Sequence, residues 1–158
     1  MTHHKRHSLA IYLATFIALA DQMSKWWVMN RIMPPAEGLP ITGFLNLVIV
    51  KNRGVTFGLL SRFDPHWMSY ALIGLAAIIL FLLGRWLWRT SSTLVAVALG
   101  LIMGGAVGNI IDRFRFGAVV DFLDFYLAGY HWYSFNLADS AIVTGVGLLL
   151  LDGLIRGR

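Results

Sequence analysis

The chain has 158 residues, about one domain's length, with 58% hydrophobic and 13% charged residues. Charge at half the usual quarter and an apolar share above the globular norm exclude a disordered chain and argue against a soluble single-core protein. The net charge of +5 is spread through short breaks between apolar runs, so no nucleic-acid partner is expected, and the absence of cysteine removes thiol nucleophiles, disulfides and Cys-ligated metals.

The first apolar run, residues 9–29, is long enough for a helix to cross a hydrocarbon core. Lys5 and Arg6 ahead of it, with Ala18-Leu19-Ala20, also match the outline of a secretory signal. The run resumes through Trp26, Trp27, Val28 and Met29 and three further spans follow, so an uncleaved span is expected. Asp21 and Lys25, four apart near its outer end, share a face. They read either as an ion pair with Lys25 snorkelling outward or as part of a site.

Residues 30–66 form the one sizeable loop. Within it Phe44 to Lys51 reads as a strand, Asn52-Arg53-Gly54 as a turn, and Val55 to Leu60 as the returning strand of an apolar hairpin on the bilayer surface or over a groove. Residues 67–88 give the second span, with Arg85 and Arg89 at the turn that follows, and residues 94–113 the third. In the third, Gly100, Gly104 and Gly108 form a flat strip for close helix packing, and Asn109, Asp112 and Arg113 share one face. Residues 114–135 form a second outer loop, in which Val119 to Tyr126 reads as a short amphipathic stretch, and either Asp121 or Asp124 in it suits a site or a solvated charge. The fourth span, 136–155, opens Asn136-Leu-Ala-Asp139, a capping-box relative in which Asp139 reaches back to the Asn136 amide.

Four spans put both termini on one side. The bases in the tails and tight turn, Lys5, Arg6, Arg85, Arg89, Arg156 and Arg158, mark that side as cytoplasmic. Only Asp152 among the carboxylates falls with them, so seven acids and seven bases balance outside. The expected architecture is an all-α polytopic membrane protein, one membrane domain of four transmembrane helices with a small β-hairpin between helices 1 and 2 on the outer, periplasmic side. Asp21, Asn109, Asp112, Arg113, Asn136 and Asp139 then lie near one leaflet boundary, with Asn52 and Asp121 in loops on the same side.

Two close carboxylates ionise unequally, so one serves as base while its protonated partner stabilises an oxyanion, with no metal, cofactor or covalent intermediate. No G-x-S-x-G or H-E-x-x-H pattern offers another hydrolytic route. A small proton-coupled transporter is the alternative, although its essential carboxylate belongs at mid-membrane.

Asp21-Gln-Met-Ser-Lys25, Asn52-Arg-Gly-Val-Thr-Phe57, Gly104-Gly-Ala-Val-Gly-Asn-Ile-Ile-Asp-Arg113, Val119-Val-Asp-Phe122 and Phe135-Asn-Leu-Ala-Asp139 together resemble the motif set of the lipoprotein signal peptidase (signal peptidase II) family. The resemblance implies an intramembrane aspartic endopeptidase of the bacterial cytoplasmic (inner) membrane, working as a monomer among membrane lipid. Its substrates would be lipid-modified prolipoproteins, cut just before the diacylglyceryl cysteine. By the same resemblance Asp121 and Asp139 are the catalytic pair, and Asp21, Lys25, Asn52, Gly54, Asn109, Arg113 and Asn136 support the site or hold substrate. Thr56 departs from the small Ala or Ser more usual in that block.

Overall fold

A computed structural model describes residues 3–35, 38–54, 65–127 and 129–156. Four long helices carry the chain: α1 (His3–Trp27), α2 (Pro65–Arg89), α3 (Thr93–Phe116) and α4 (Leu137–Arg156). Helices α2, α3 and α4 each hold a stretch long and apolar enough to cross a membrane. Helix α1 has 25 residues but interrupts its apolar run with Asp21 and Lys25, and continues into a π-helical segment, Val28–Ile32.

Helix α3 is the axis of the bundle, packed against α1, α2 and α4. Ser92 caps it, its hydroxyl accepting from the Val95 amide, and Gly117 ends it in the left-handed region with φ of 66°. The glycine strip seats α1: a Cβ at Gly100 would fall 2.8 Å from the Ala10 carbonyl oxygen, and one at Gly104 2.6 Å from that of Ala14. Neither leaves room for a methyl group, so the backbones meet as the four-residue spacing predicts. On α4, Gly145 meets Ala98 in the same manner. Ala10, Leu87, Val95, Ala96 and Leu99 fill the space between the helices, whereas Leu75, Ile78, Phe81, Leu150 and Leu154 stay exposed, as lipid-facing side chains do.

The β structure is larger than a hairpin within the first loop. Strands β1 (Leu39–Thr42), β2 (Leu45–Asn52), β3 (Val119–Leu127) and β4 (Tyr130–His131) form one antiparallel sheet in sequence order. The stretch expected as an amphipathic segment is therefore β3. Its β-branched and aromatic residues pair with β2, Asn46 opposite Asp124 and Asn52 opposite Val119, a partner some seventy residues distant that local pattern does not reveal. The expected strand from Val55 to Leu60, with Thr56, lies outside the described residues. Phe122, Val28 and Leu47 form a second small core beneath the sheet.

One backbone connection matters for the site. The Phe122 and Leu123 amides both donate to the Phe135 carbonyl, and the Phe135 amide donates back to Leu123. That bridge fixes the entry to α4 against the middle of β3.

Candidate active site

Asp121 lies in the buried half of β3, its side chain 2% exposed. The bridge through Phe135 brings Asn136 beside it, and the Asn136 Nδ2 donates to Asp121 Oδ1 at 2.7 Å. Asn52, at the end of β2, donates through Nδ2 to the other oxygen at 3.1 Å. The Asn52 Oδ1 is itself held by the Gly54 amide at 2.9 Å, an Asx turn that needs Gly54 at a φ of 76°. Gly54 also lies against α2, since a Cβ there would fall 2.6 Å from Leu72 Cδ1.

Asp139 occupies the first turn of α4, where the helix dipole favours an anion. The expected capping box is present: the Asn136 Oδ1 accepts from the Asp139 amide at 2.9 Å and Asp139 Oδ2 accepts from the Asn136 amide at 3.3 Å. The cap is also part of the cluster, because Asn136 then bonds both carboxylates, Asp139 through its backbone amide and Asp121 through its side chain. Asn109 completes the link, donating through Nδ2 to Asp139 Oδ1 at 2.8 Å and accepting from Asn136 at 3.3 Å. Each of the four carboxylate oxygens thus has one donor among the described residues, which leaves acceptor capacity for water.

Burial pushes the Asp121 carboxyl up to about 6, with the nearby Asp139 charge adding to the rise while the Asn52 and Asn136 hydrogen bonds oppose it. Arg113, half-buried, donates to the Asn109 carbonyl at 3.3 Å and lies within electrostatic reach of Asp139, Asp112 and Asp121. The structure therefore brings Asp121, Asp139, Asn136, Asn109, Asn52, Gly54 and Arg113 to one place where β3 meets α3 and α4.

Asp21 and Lys25 form the adjoining layer, and Lys25 does not snorkel. It is 1% exposed, with Nζ 2.7 Å from Asp21 Oδ2, 2.8 Å from Asp112 Oδ2 and 3.3 Å from Asn109 Oδ1. Three acceptors meet all three ammonium donors, which removes any reason to reach for water. Gln22, which motif spacing passes over, donates to Asp112 Oδ1 at 2.8 Å and to the Gly108 carbonyl at 3.1 Å. Its only sequence signal is a place one turn before Lys25. Asp124, the other acid of β3, faces elsewhere, accepting from Asn46 at 3.0 Å and pairing with His131 at 2.8 Å.

Apolar helices with a carboxylate pair bridged by asparagines, Asp121 buried and Asp139 half-buried, define the chain as a membrane protein with a carboxylate site at one end of its bundle. The sequence profile described as Signal peptidase (SPase) II matches residues 13–155, and the chain belongs to that family. It is 43% identical to the lipoprotein signal peptidase of Methylocella silvestris, covering 95% of this chain and 88% of that one. Against the lipoprotein signal peptidase of Cupriavidus necator the identity is 44%, over 92% and 82%. A bacterial membrane enzyme solved by the in meso method superposes with a TM-score of 0.79 at 30% identity, covering 94% of this chain and 89% of that chain.

Proposed function

We propose that this signal peptidase II family member is an aspartic endopeptidase that removes the signal peptide from diacylglyceryl-modified prolipoproteins, cutting just before the lipidated cysteine at Asp121 and Asp139. The observation that carries the reading is the double role of Asn136, hydrogen-bonded at once to Asp121 Oδ1 and Asp139 Oδ2. Two carboxylates fixed by one residue can hold a single water between them.

In the proposed reaction Asp121, whose burial favours its protonated form, carries the proton of the pair, and Asp139 is the base. Water attacks the scissile carbonyl carbon as its proton passes to Asp139, and the Asp121 proton passes to the carbonyl oxygen, giving a neutral gem-diol. Collapse breaks the C–N bond, the Asp139 proton goes to the leaving nitrogen, and a gem-diol hydroxyl returns a proton to Asp121. The products are a signal-peptide carboxyl and a free amine on the lipidated cysteine, with both carboxyls restored.

In the same reading α1 is a fourth span, both termini are cytoplasmic and the site lies near the outer leaflet of the inner membrane. A monomer suffices, since both aspartates come from one chain. The sheet would cover a groove that an acylated substrate enters sideways from lipid. Incubation of the purified, detergent-solubilised protein with a diacylglyceryl-modified precursor and its unmodified counterpart tests the assignment. Cleavage of the lipidated form alone is expected. Equal cleavage of both, or substrate-dependent proton flux in vesicles without cleavage, would overturn it.

A further inference from the structure

Three buried groups outside the carboxylate pair, Asp21, Lys25 and Asp112, and the half-buried Gln22 take no part in the chemistry just described. They form a fork with Lys25 at its base. One arm is Asp21, whose Oδ2 meets Lys25 at 2.7 Å while Oδ1 accepts from the Ala138 amide at 3.0 Å. The other is Asp112, whose Oδ2 meets Lys25 at 2.8 Å and accepts from the Val120 amide at 3.0 Å. Ala138 precedes Asp139, and Val120 precedes Asp121. A single ammonium thereby ties down the backbone one residue ahead of each carboxylate.

We propose that Asp112 is a positioning residue for hydrolysis: clasped with Asp21 to the Lys25 ammonium, it fixes the backbone at Val120 and so sets the separation of Asp121 from Asp139. The inference rests on the proposed roles of those two aspartates. Its geometric basis is a clamp from two sides. The Phe135 carbonyl holds Phe122 and Leu123, immediately after Asp121, and the fork holds Val120, immediately before it. Asn136 Nδ2 also reaches the Val120 carbonyl at 3.3 Å, and the fork adds the hold on the Val120 amide.

Further features support a built device rather than a stray buried charge. Gln22 donates to Asp112 Oδ1 at 2.8 Å and to Asp21 Oδ2 at 3.3 Å, joining the two arms. The third Lys25 bond goes to Asn109 Oδ1, and the same amide reaches Asp139. Gly108 makes room, since a Cβ there would sit 2.5 Å from Asp21 Oδ2. Asp112, Asp21 and Asn136 are each 0% exposed, and Lys25 is 1% exposed, so the fork works away from competing water.

The test measures kcat and KM on a diacylglyceryl-modified peptide, per folded molecule, for Asp112→Ala and Asp112→Asn. Misplacing a reacting group by about 1 Å is enough to lower a rate roughly 100-fold, so Asp112→Ala should lose kcat on that order with KM within about twofold. Asp112→Asn keeps an acceptor oxygen for Val120 and should recover roughly tenfold or more of that loss. Should Asp112→Ala fail to accumulate, Asp112→Ser, one atom too short to reach the amide, is read by the same criterion. A wild-type kcat per folded molecule without the acceptor, a loss confined to KM, or no recovery in Asp112→Asn would each overturn the proposal. Asp121→Asn assayed beside them separates the two ideas: if it cleaves, the reading of the aspartate pair fails, whereas if it is dead and Asp112→Ala is unimpaired, only the positioning role fails.

Discussion

Replacing Asp121 with Asn converts a titrating buried group into a fixed amide, and the size of the effect follows from its surroundings. The Asp121 carboxyl moves from 3.8 to about 6 on folding, because burial penalises its charge. A raised value means that the folded state binds the proton more tightly. The stability this group contributes is fully present below about pH 4 and is lost as the pH rises through about 6. Roughly two units correspond to about 3 kcal/mol lost by pH 7. The amide variant escapes that loss. It offers only one acceptor oxygen, however, so either the Asn52 or the Asn136 donor goes unmet, at about 1–3 kcal/mol. At pH 4 Asp121→Asn should therefore be the less stable protein by that amount, and by pH 7 the difference should close or reverse. Denaturant unfolding in detergent micelles between pH 4 and 7.5, followed through the six tryptophans, measures it. A difference between variant and wild type that does not change with pH would refute the argument that burial raises this carboxyl.

Other expected outcomes follow from neighbouring contacts. Lys25→Met strips the cation from two fully buried carboxylates and should cost about 3–5 kcal/mol, read as a large fall in thermal midpoint; an unchanged midpoint would mean the fork is not load-sharing. Asn136→Ala removes both the cap of α4 and the link between Asp121 and Asp139, so cleavage should vanish while stability falls by about 1–2 kcal/mol. Gly104→Val drives a side chain into the Ala14 carbonyl and should destabilise the bundle by about 1–3 kcal/mol, measured by unfolding in detergent. Because carboxylates rather than a metal are proposed to activate the water, a chelator should leave the cleavage rate unchanged, and loss on chelation would count against the mechanism.

Much of this architecture is local and therefore legible in the sequence. The apolar runs announce α2, α3 and α4, the four-residue glycine spacing announces a close helix contact though not its partner, and Asn136 to Asp139 announces its own cap. Pairing over long separations is not local. Nothing within Val119 to Tyr126 reveals that its partner is Leu45 to Asn52, so the strand reads as an amphipathic segment. The same limit hides the fate of Lys25. At the end of an apolar helix a lysine ordinarily snorkels, and only the arrival of Asp112 and Asn109 from α3, more than eighty residues later, makes burial the better arrangement. Asp121 and Asp124 are indistinguishable by type. Their odd spacing on a strand sends them to opposite faces, one toward Asn136 and the other toward Asn46 and His131. That difference is visible only once β3 is known to be a strand.

Asp121 and Asp139 are proposed to hydrolyse together the signal peptide of a lipid-modified precursor. The most direct measurement is cleavage of that precursor by Asp121→Asn and by Asp139→Asn, each shown to insert in the membrane and to unfold cooperatively. Both variants should bind the precursor and leave it intact. Cleavage at the wild-type rate by either one would show that the pair is not catalytic.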